Sequence, residues 1–449
     1  MKQKMNPIAF RDALKTWLKI AALSFGGPAG QIAVMHRILV DEKKWISENR
    51  FLHALNYCML LPGPEAQQLI TYIGWLMFGI RGGLTAGLLF ILPGFLAILA
   101  LSLCYIAFNQ TSWMTGLLFG VKAAVIIIVA EAVLRISKRA LKNKIMVSLA
   151  IASFIALFVF RIPFPIIILA AGLLGFLGGK LWPDSFWVIR GHADSNKEGV
   201  AIFSQEPPLP KSFLVHFFKT AGLWICIWFS PILALYFLLG QNHILFQQAL
   251  FFSKAAMVTF GGAYSVLSYI AQEAVQHFGW LNAGEMLDGL GMAETTPGPL
   301  IQVVQFVGFL GAYRSPAPFS PIMAGITASL VITWVTYAPC FLWIFLGAPY
   351  IEKLRGKKSL NCILSAITAS VVGVIANLAV WFALHVLFGK VNDASFAELK
   401  LWIPDLSTFS FTAAILTVGS GIMLLRFKLN LFVVLAVCAL AGIILTLVF

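Results

Sequence analysis

Charge is scarce in this sequence. Of its 449 residues only 11% are Asp, Glu, Lys or Arg, against about 25% in ordinary soluble domains. With 60% apolar residues and a mean hydropathy of +0.89, the chain holds more oil than a globular core of this length uses. Most of it must therefore face lipid, or other helices that do. Cysteine is thin as well. Cys58, Cys104, Cys226, Cys340, Cys362 and Cys438 each stand alone in an apolar stretch, and none forms a CxxC. They read as small hydrophobes, which argues against a disulfide framework or a thiolate metal site. The seven histidines show no ligand spacing. H-E-x-x-H, a partnered G-x-S-x-G, clustered carboxylates and the G-x-x-x-x-G-K-[ST] phosphate loop are all missing, so no enzyme, no bound ATP, no metal and no cofactor is expected.

What the chain does have is length of apolar run. Leu84 to Phe108, Pro163 to Leu181 and Leu431 to Phe449 can each cross a hydrocarbon layer of about 30 Å. They lack the alternation of barrel strands, so the expectation is an all-α polytopic membrane protein. The net charge of +14 does not point to nucleic acid, because the cations sit in short links between apolar runs. Arg135, Lys138, Arg139, Lys142 and Lys144 form one such link, and Lys353, Arg355, Lys357 and Lys358 another. That is the positive-inside pattern of a multi-pass protein in a plasma membrane. Lys2, Lys4, Arg11, Lys15 and Lys19 without a cleavage site read as a retained, cytoplasmic N-terminus.

The sequence also repeats itself. Lys19 to Gly27 (KIAALSFGG) aligns with Lys254 to Gly262 (KAAMVTFGG), and the same offset of 235 carries Trp45 to Trp280 and Pro62-Gly63-Pro64 to Pro297-Gly298-Pro299. After one deleted residue, Gln68 to Gly74 aligns with Gln302 to Gly308. The expected organisation is a first transporter repeat over 1–181, a polar link plus connecting transmembrane helix over 182–239, and a second repeat over 240–449. Later apolar segments near 84–108, 113–134, 145–160 and 163–181 correspond to 321–348, 361–388, 408–425 and 430–448. An even number of spans per half plus one connector inserts the halves from opposite sides, and both basic links then face the cytoplasm. Inverted repeats of this kind suit alternating access.

Two segments in each half are interrupted, at Phe25-Gly26-Gly27-Pro28 and Phe260-Gly261-Gly262, and at the two PGP motifs. Proline ends a helix or begins one, and glycine permits the bend between. Broken, re-entrant helices are expected here, the hairpin form suiting the positive-inside rule better than full spans. Helix ends at membrane depth present amides and a positive dipole end to an anion. Gly26, Gly27, Pro28, Pro62, Gly63, Pro64, Gly261, Gly262, Pro297, Gly298 and Pro299 are therefore substrate-site candidates, with Ser24, Thr259, Gln67, Gln302, Thr295 and Thr296 as further donors. Helix kinking or close packing is the alternative for any single motif. Two motif types, each repeated in register, favour the anion site.

In these motifs, their spacing and their tandem arrangement, the chain resembles the chromate ion transporter family in its long, two-domain form. That resemblance implies export of chromate from the cytoplasm, chromate resistance, and sulfate as a related oxyanion. One departure is that Ala263 stands where the first half has Pro28. The residues themselves support a secondary oxyanion carrier; an anion channel or a carrier of another small oxyanion is the alternative, and monomer and homodimer are both left open.

Intramembrane charges complete the candidates. Lys122, near the middle of 113–134, reads as a fixed positive charge facing the pathway, with snorkelling as its alternative. Glu131 lies on roughly the opposite face and is expected to pair with Arg135. Glu65, directly after the first PGP, and Glu294, three residues before the second, are candidates for coupling proton to anion movement, because desolvation and like charge favour the protonated carboxyl. Lys19 and Lys254, repeat partners, are expected at hairpin mouths.

Overall fold

A computed structural model describes residues 8–186, 212–350, 358–396 and 399–448. Lys2, Lys4, Lys353, Arg355 and Lys357, named above, lie outside the described residues. The first half runs α1 (Phe10–Leu23), α2 (Gly27–His36), α3 (Glu48–Cys58), α4 (Glu65–Phe108), α5 (Ser112–Ala140), α6 (Lys144–Phe158), α7 (Phe164–Leu181) and a single turn, α8 (Pro183–Phe186). After α9 (Phe213–Leu239) come α10 (Ile244–Met257), α11 (Ala263–Gln272), α12 (Ala283–Thr295), α13 (Val303–Arg314), α14 (Pro321–Gly347) and α15 (Lys358–Leu387). A hairpin of β1 (Val391–Phe396) and β2 (Leu399–Pro404) precedes α16 (Phe411–Gly421) and α17 (Leu431–Val448).

Seven helices among the described residues are long and apolar enough to cross a membrane: 65–108, 112–140, 164–181, 213–239, 321–350, 358–387 and 431–448. The protein is an all-α, multi-pass membrane protein. Its outward faces carry the oil that a soluble surface would hide, as at Phe237 and Leu238 of α9 and Leu440 of α17, all more than half exposed.

The chain separates into two compact units, and each draws on both halves of the sequence. One comprises Met1–Leu99, Arg190–Ala263 and Thr296–Gly356; the other comprises Ala100–Ile189, Tyr264–Thr295 and Lys357–Phe449.

In the first unit the helices flanking the motifs are short. α1 has 14 residues and α2 has 10, so at 1.5 Å per residue each falls well short of a 30 Å layer. α2, like α11 of the second unit, runs into a π-helical turn, at 37–42 and 273–277 respectively, and three residues beyond each turn a tryptophan bonds back into it, Trp45 N–H to the Leu39 carbonyl and Trp280 N–H to the Ala274 carbonyl. α4 is two helices. Phe78 (φ −137°, ψ 19°) and Gly79 (φ 65°, ψ −152°) break it, and the Gly79 conformation lies in a region essentially reserved for glycine. The legs fold back on each other there: a Cβ placed on Gly82 would stand 2.1 Å from the Gly74 carbonyl oxygen, and one on Gly87 would stand 2.4 Å from Thr71 Oγ1. Eight residues of straight helix would separate Gly74 and Gly82 by about 12 Å. α13 and α14 pack in a comparable way, with Gly308 under Ile332 and Gly325 under Phe309.

The second unit packs α5 against α17 through a small-residue seam. Gly116 and Gly120, a G-x-x-x-G pair, meet Gly442 and Cys438 so closely that a Cβ on Gly120 would lie 1.8 Å from the Cys438 carbonyl oxygen. Close backbone approach is what lets helices associate where lipid removes the hydrophobic drive. The antiparallel β1–β2 hairpin was not foreseen from the sequence. It is tied to the α6–α7 turn by Arg161, which is ion-paired with Asp393 and sits 5.1 Å above the Trp402 ring.

Candidate functional site

The motif residues of the first unit meet crosswise. Gly63 of the first PGP donates its amide hydrogen to the carbonyl of Thr259, the residue two before the second glycine pair, at 2.8 Å. Gly298 of the second PGP donates to the carbonyl of Ser24 at the same 2.8 Å. Ser24 and Thr259 are repeat partners, as are Gly63 and Gly298. Gln31 of α2 reinforces one crossing, donating Nε2–H to the Gly298 carbonyl at 2.6 Å. At the other, Glu65 Oε2 lies 4.0 Å from where a Gly262 Cβ would be. Ser24, Thr259, Gly63, Pro64, Gly298 and Pro299 are all buried.

These bonds sort the motifs by task. The PGP amides are used in holding the crossings, and both PGP glycines are packed tightly. A Cβ on Gly63 would press to 2.8 Å on Cys340 Sγ, and one on Gly298 to 3.3 Å on the Gly94 Cα. Gly94 follows Pro93 and Cys340 follows Pro339, the internal prolines of α4 and α14. The FGG glycines behave differently. Gly26, Gly27, Gly261 and Gly262 all have φ between 72° and 100°, yet a Cβ at Gly26 or Gly27 would meet nothing within 4 Å. Close packing does not account for glycine there; the left-handed turn does. α2 is capped by Gly26, which offers no side chain, and has Pro28 in its first turn, the arrangement that leaves first-turn amides of a helix without a side-chain acceptor.

Hydroxyls and amides around the crossings are mostly engaged locally. Ser24 and Thr259 hydroxyls bond back to the carbonyls of Ile20 and Ala255. Gln67 donates to Thr71 Oγ1 at 3.1 Å, and Gln302 donates to Gln305 Oε1 at 2.6 Å and Thr333 Oγ1 at 3.0 Å. The Gln67 and Gln302 side-chain oxygens are buried with no hydrogen-bond partner. Thr296 is buried, whereas Thr295 is exposed and bonds back to Met292.

Lys122 and Glu294 belong to the second unit, not to the motif crossings. Lys122 Nζ stands 3.1 Å from Asp288 Oδ1, so its charge is offset by a carboxylate. Glu294 is buried and accepts the Tyr264 hydroxyl. Glu131 pairs with Arg135 at 2.9 Å, as the helical spacing predicts. Lys19 is exposed and stands 3.8 Å from Glu42.

A membrane protein with tandem FGG and PGP motifs invites comparison with known transporters, and the profile described as chromate transporter matches residues 11–176 and 246–443. The chain belongs to the chromate transporter family. It is similar to the chromate transport protein of Pseudomonas aeruginosa, at 30% identity over 82% of this chain and 80% of that one. It resembles the chromate transport protein of Cupriavidus metallidurans at 28% identity over 83% of this chain and 82% of the relative. An uncharacterized transporter of Bacillus subtilis matches over 134 residues at 26% identity, covering 30% of this chain and 68% of that smaller protein. No solved structure matches.

Within this chromate transporter family chain, several residues at these sites escaped the sequence reading. Gln31 has no amide at its repeat position, Val266, so the repeat does not mark it. Pro93 and Pro339 lie inside apolar runs and read as ordinary transmembrane prolines. Asp288 sits in a mixed segment from which the sequence singled out only Glu294. Its signal was that Lys122 has no acid three or four residues away on its own helix.

Proposed function

We propose that this protein is a secondary carrier that exports chromate and also accepts sulfate, giving chromate resistance. The observation that carries the reading is the reciprocal pair of hydrogen bonds, Gly63 to Thr259 and Gly298 to Ser24, which couples each half's PGP to the other half's FGG. A tetrahedral dianion needs several donors fixed around it without a full counter-charge. Uncapped first-turn amides beside the open FGG glycines suit that requirement. In this reading the 1–181 and 240–449 repeats insert oppositely about α9, and the N-terminus and both basic links face the cytoplasm of a plasma-membrane protein. α1–α2, and α3 with the first leg of α4, are re-entrant hairpins; their short lengths and the fold-back at Gly79 support this. The half-sized relative from Bacillus subtilis supports treating one half as a unit. Glu65 and Glu294 are the coupling carboxylates of the same reading.

An anion channel is the competing function, since re-entrant half-helices also build pores. Reconstitution in liposomes separates the two. A carrier gives chromate and sulfate fluxes that saturate, compete, and accelerate when sulfate is placed on the opposite side. Currents that rise without saturation and show no trans-acceleration would establish the channel. Replacing Glu65 or Glu294 by Gln is expected to shift the pH dependence of exchange; an unchanged profile in both variants would reject coupling through them.

A further inference from the structure

A polar cavity of about 220 Å³ lies inside the second unit, where the end of α4, α5 and the first turns of α12 come together. Its walls include Tyr105, Asn109, Lys122, Asn282 and Asp288. Lys122 and Asp288 form an ion pair across it at 3.1 Å, with the Asp288 side chain 4% exposed and that of Lys122 24% exposed. Asp288 Oδ2 accepts the Tyr105 hydroxyl at 3.1 Å. Its Oδ1 is buried and has no hydrogen bond, only the charge of Lys122 opposite. Both partners line the cavity, and Asp288 is the less exposed of the two.

Besides this pair, Glu285 is the one charged side chain in the cavity lining. Glu285 is engaged in a capping box, accepting the Asn282 amide while its own amide donates to Asn282 Oδ1, both at 2.9 Å. On α5 the other charges facing α12 are Glu131 and Arg135, nine and thirteen residues beyond Lys122 and paired with each other. The described part of α15, which also packs on α12, carries as titratable groups only Lys358, Cys362 and His385. The titratable groups around Asp288 in the cavity are therefore Lys122, Tyr105 and Glu285.

We propose that this cavity is a proton-gated oxyanion subsite, in which ionised Asp288 occupies Lys122 and protonated Asp288 yields it to the anion. An ammonium that is only 24% exposed is favoured by a counter-charge beside it. While Asp288 is ionised it supplies one, and an incoming oxyanion would have to displace it and pay for like charge. A proton placed on an Asp288 carboxyl oxygen removes that charge, leaves Lys122 without a partner, and opens the ammonium and the amides of Asn109 and Asn282 to a tetrahedral anion. No other bond changes, and one proton accompanies each anion bound here. The inference rests on the oxyanion-carrier reading but uses neither the motif crossings nor Glu65 and Glu294.

The test measures radiolabelled sulfate flux by the full-length protein in liposomes from about pH 6 to about pH 9. Wild-type flux should fall with rising pH by up to about tenfold per unit, as one titrating group allows. Asp288→Asn should hold more of its acid-side flux at alkaline pH, because Lys122 is never occupied, and any fall left in it belongs to Glu65 and Glu294. Lys122→Gln should give low flux at every pH. A wild-type pH profile in Asp288→Asn would overturn the proposal. Should that variant fail to insert, the double variant Lys122→Gln/Asp288→Asn decides, since it strands no buried charge. It should insert and give low flux at every pH, and wild-type flux in it would make the pair merely structural. Absence of saturable wild-type flux would instead sink the carrier reading, so the two failures are distinguishable.

Discussion

Gly63 donates its amide hydrogen to the Thr259 carbonyl at 2.8 Å, joining a PGP motif in one half of the chain to the FGG motif of the other. Their repeat counterparts, Gly298 and Ser24, form the same bond. A hydrogen bond of this kind is worth only about 1 kcal/mol net, but leaving either buried partner unpaired costs about 1–3 kcal/mol. The crossings are therefore better at fixing geometry than at adding stability. A shift of the second half's FGG carries the first half's PGP with it.

The two kinds of motif glycine should respond differently to alanine. Gly27→Ala meets no neighbour, but forces a side chain onto φ +72°, which costs roughly 1–2 kcal/mol. It should insert and lose much of its oxyanion flux. Gly63→Ala adds contact with Cys340 Sγ and Gln68 Nε2, both at 2.8 Å, to a similar strain at φ +126°. It should lose thermal stability as well as flux. Parallel melting and flux measurements check the contrast, and equal melting temperatures in the two variants would contradict it.

Gly120 is a packing glycine with no transport role in this account. A Cβ there would overlap the Cys438 carbonyl oxygen at 1.8 Å, so Gly120→Val must push α5 from α17. Overpacking of this type costs about 1–3 kcal/mol or more. Thermal unfolding in detergent should register the loss, and an unchanged midpoint would refute the seam.

Arg135→Ala should scarcely alter stability. Its partner Glu131 is one turn away on the same helix, and the side chains are 46% and 33% exposed. Such pairs contribute about 0.3–0.5 kcal/mol before further screening by salt. A large drop in melting temperature would show that Arg135 holds something beyond this pair.

Arg161 is expected to behave otherwise. It makes an ion pair with Asp393 and stacks on Trp402, and a planar guanidinium does both where an ammonium does not. Arg161→Lys should therefore raise amide exchange in Leu401 to Ile403 nearly as much as Arg161→Ala. Full protection in the lysine variant would assign the contact to charge alone.

Much of this architecture was legible because the signals were local. Apolar runs near 113–134, 321–348 and 430–448 became α5, α14 and α17, since only a helix satisfies its backbone in lipid. The FGG and PGP breaks were legible because glycine and proline act on their own residues. The identity of the cross-chain partners was not. That Gly63 bonds Thr259, or that Lys122 meets Asp288, depends on how distant segments pack, and one sequence carries no trace of it. The β1–β2 hairpin also escaped notice, because the polar stretch after α15 is too short to declare its pairing. Proline 93 and proline 339 were visible but silent until the structure set a PGP glycine beside each following residue.

The central claim, that the two halves enter the membrane from opposite sides so that their motifs cross, is tested most directly by cysteine accessibility. Lys142→Cys and Lys358→Cys mark the two basic links. Lys142 follows the 113–134 segment whereas Lys358 precedes its counterpart, 361–388, so oppositely inserted halves put both on one side; both residues are exposed. In a background with the exposed Cys104 and Cys226 replaced by serine, each is probed with a membrane-impermeant maleimide in intact cells and in inverted vesicles. The account predicts that both react only from the cytoplasmic side. Labelling of the two positions from opposite sides would contradict it.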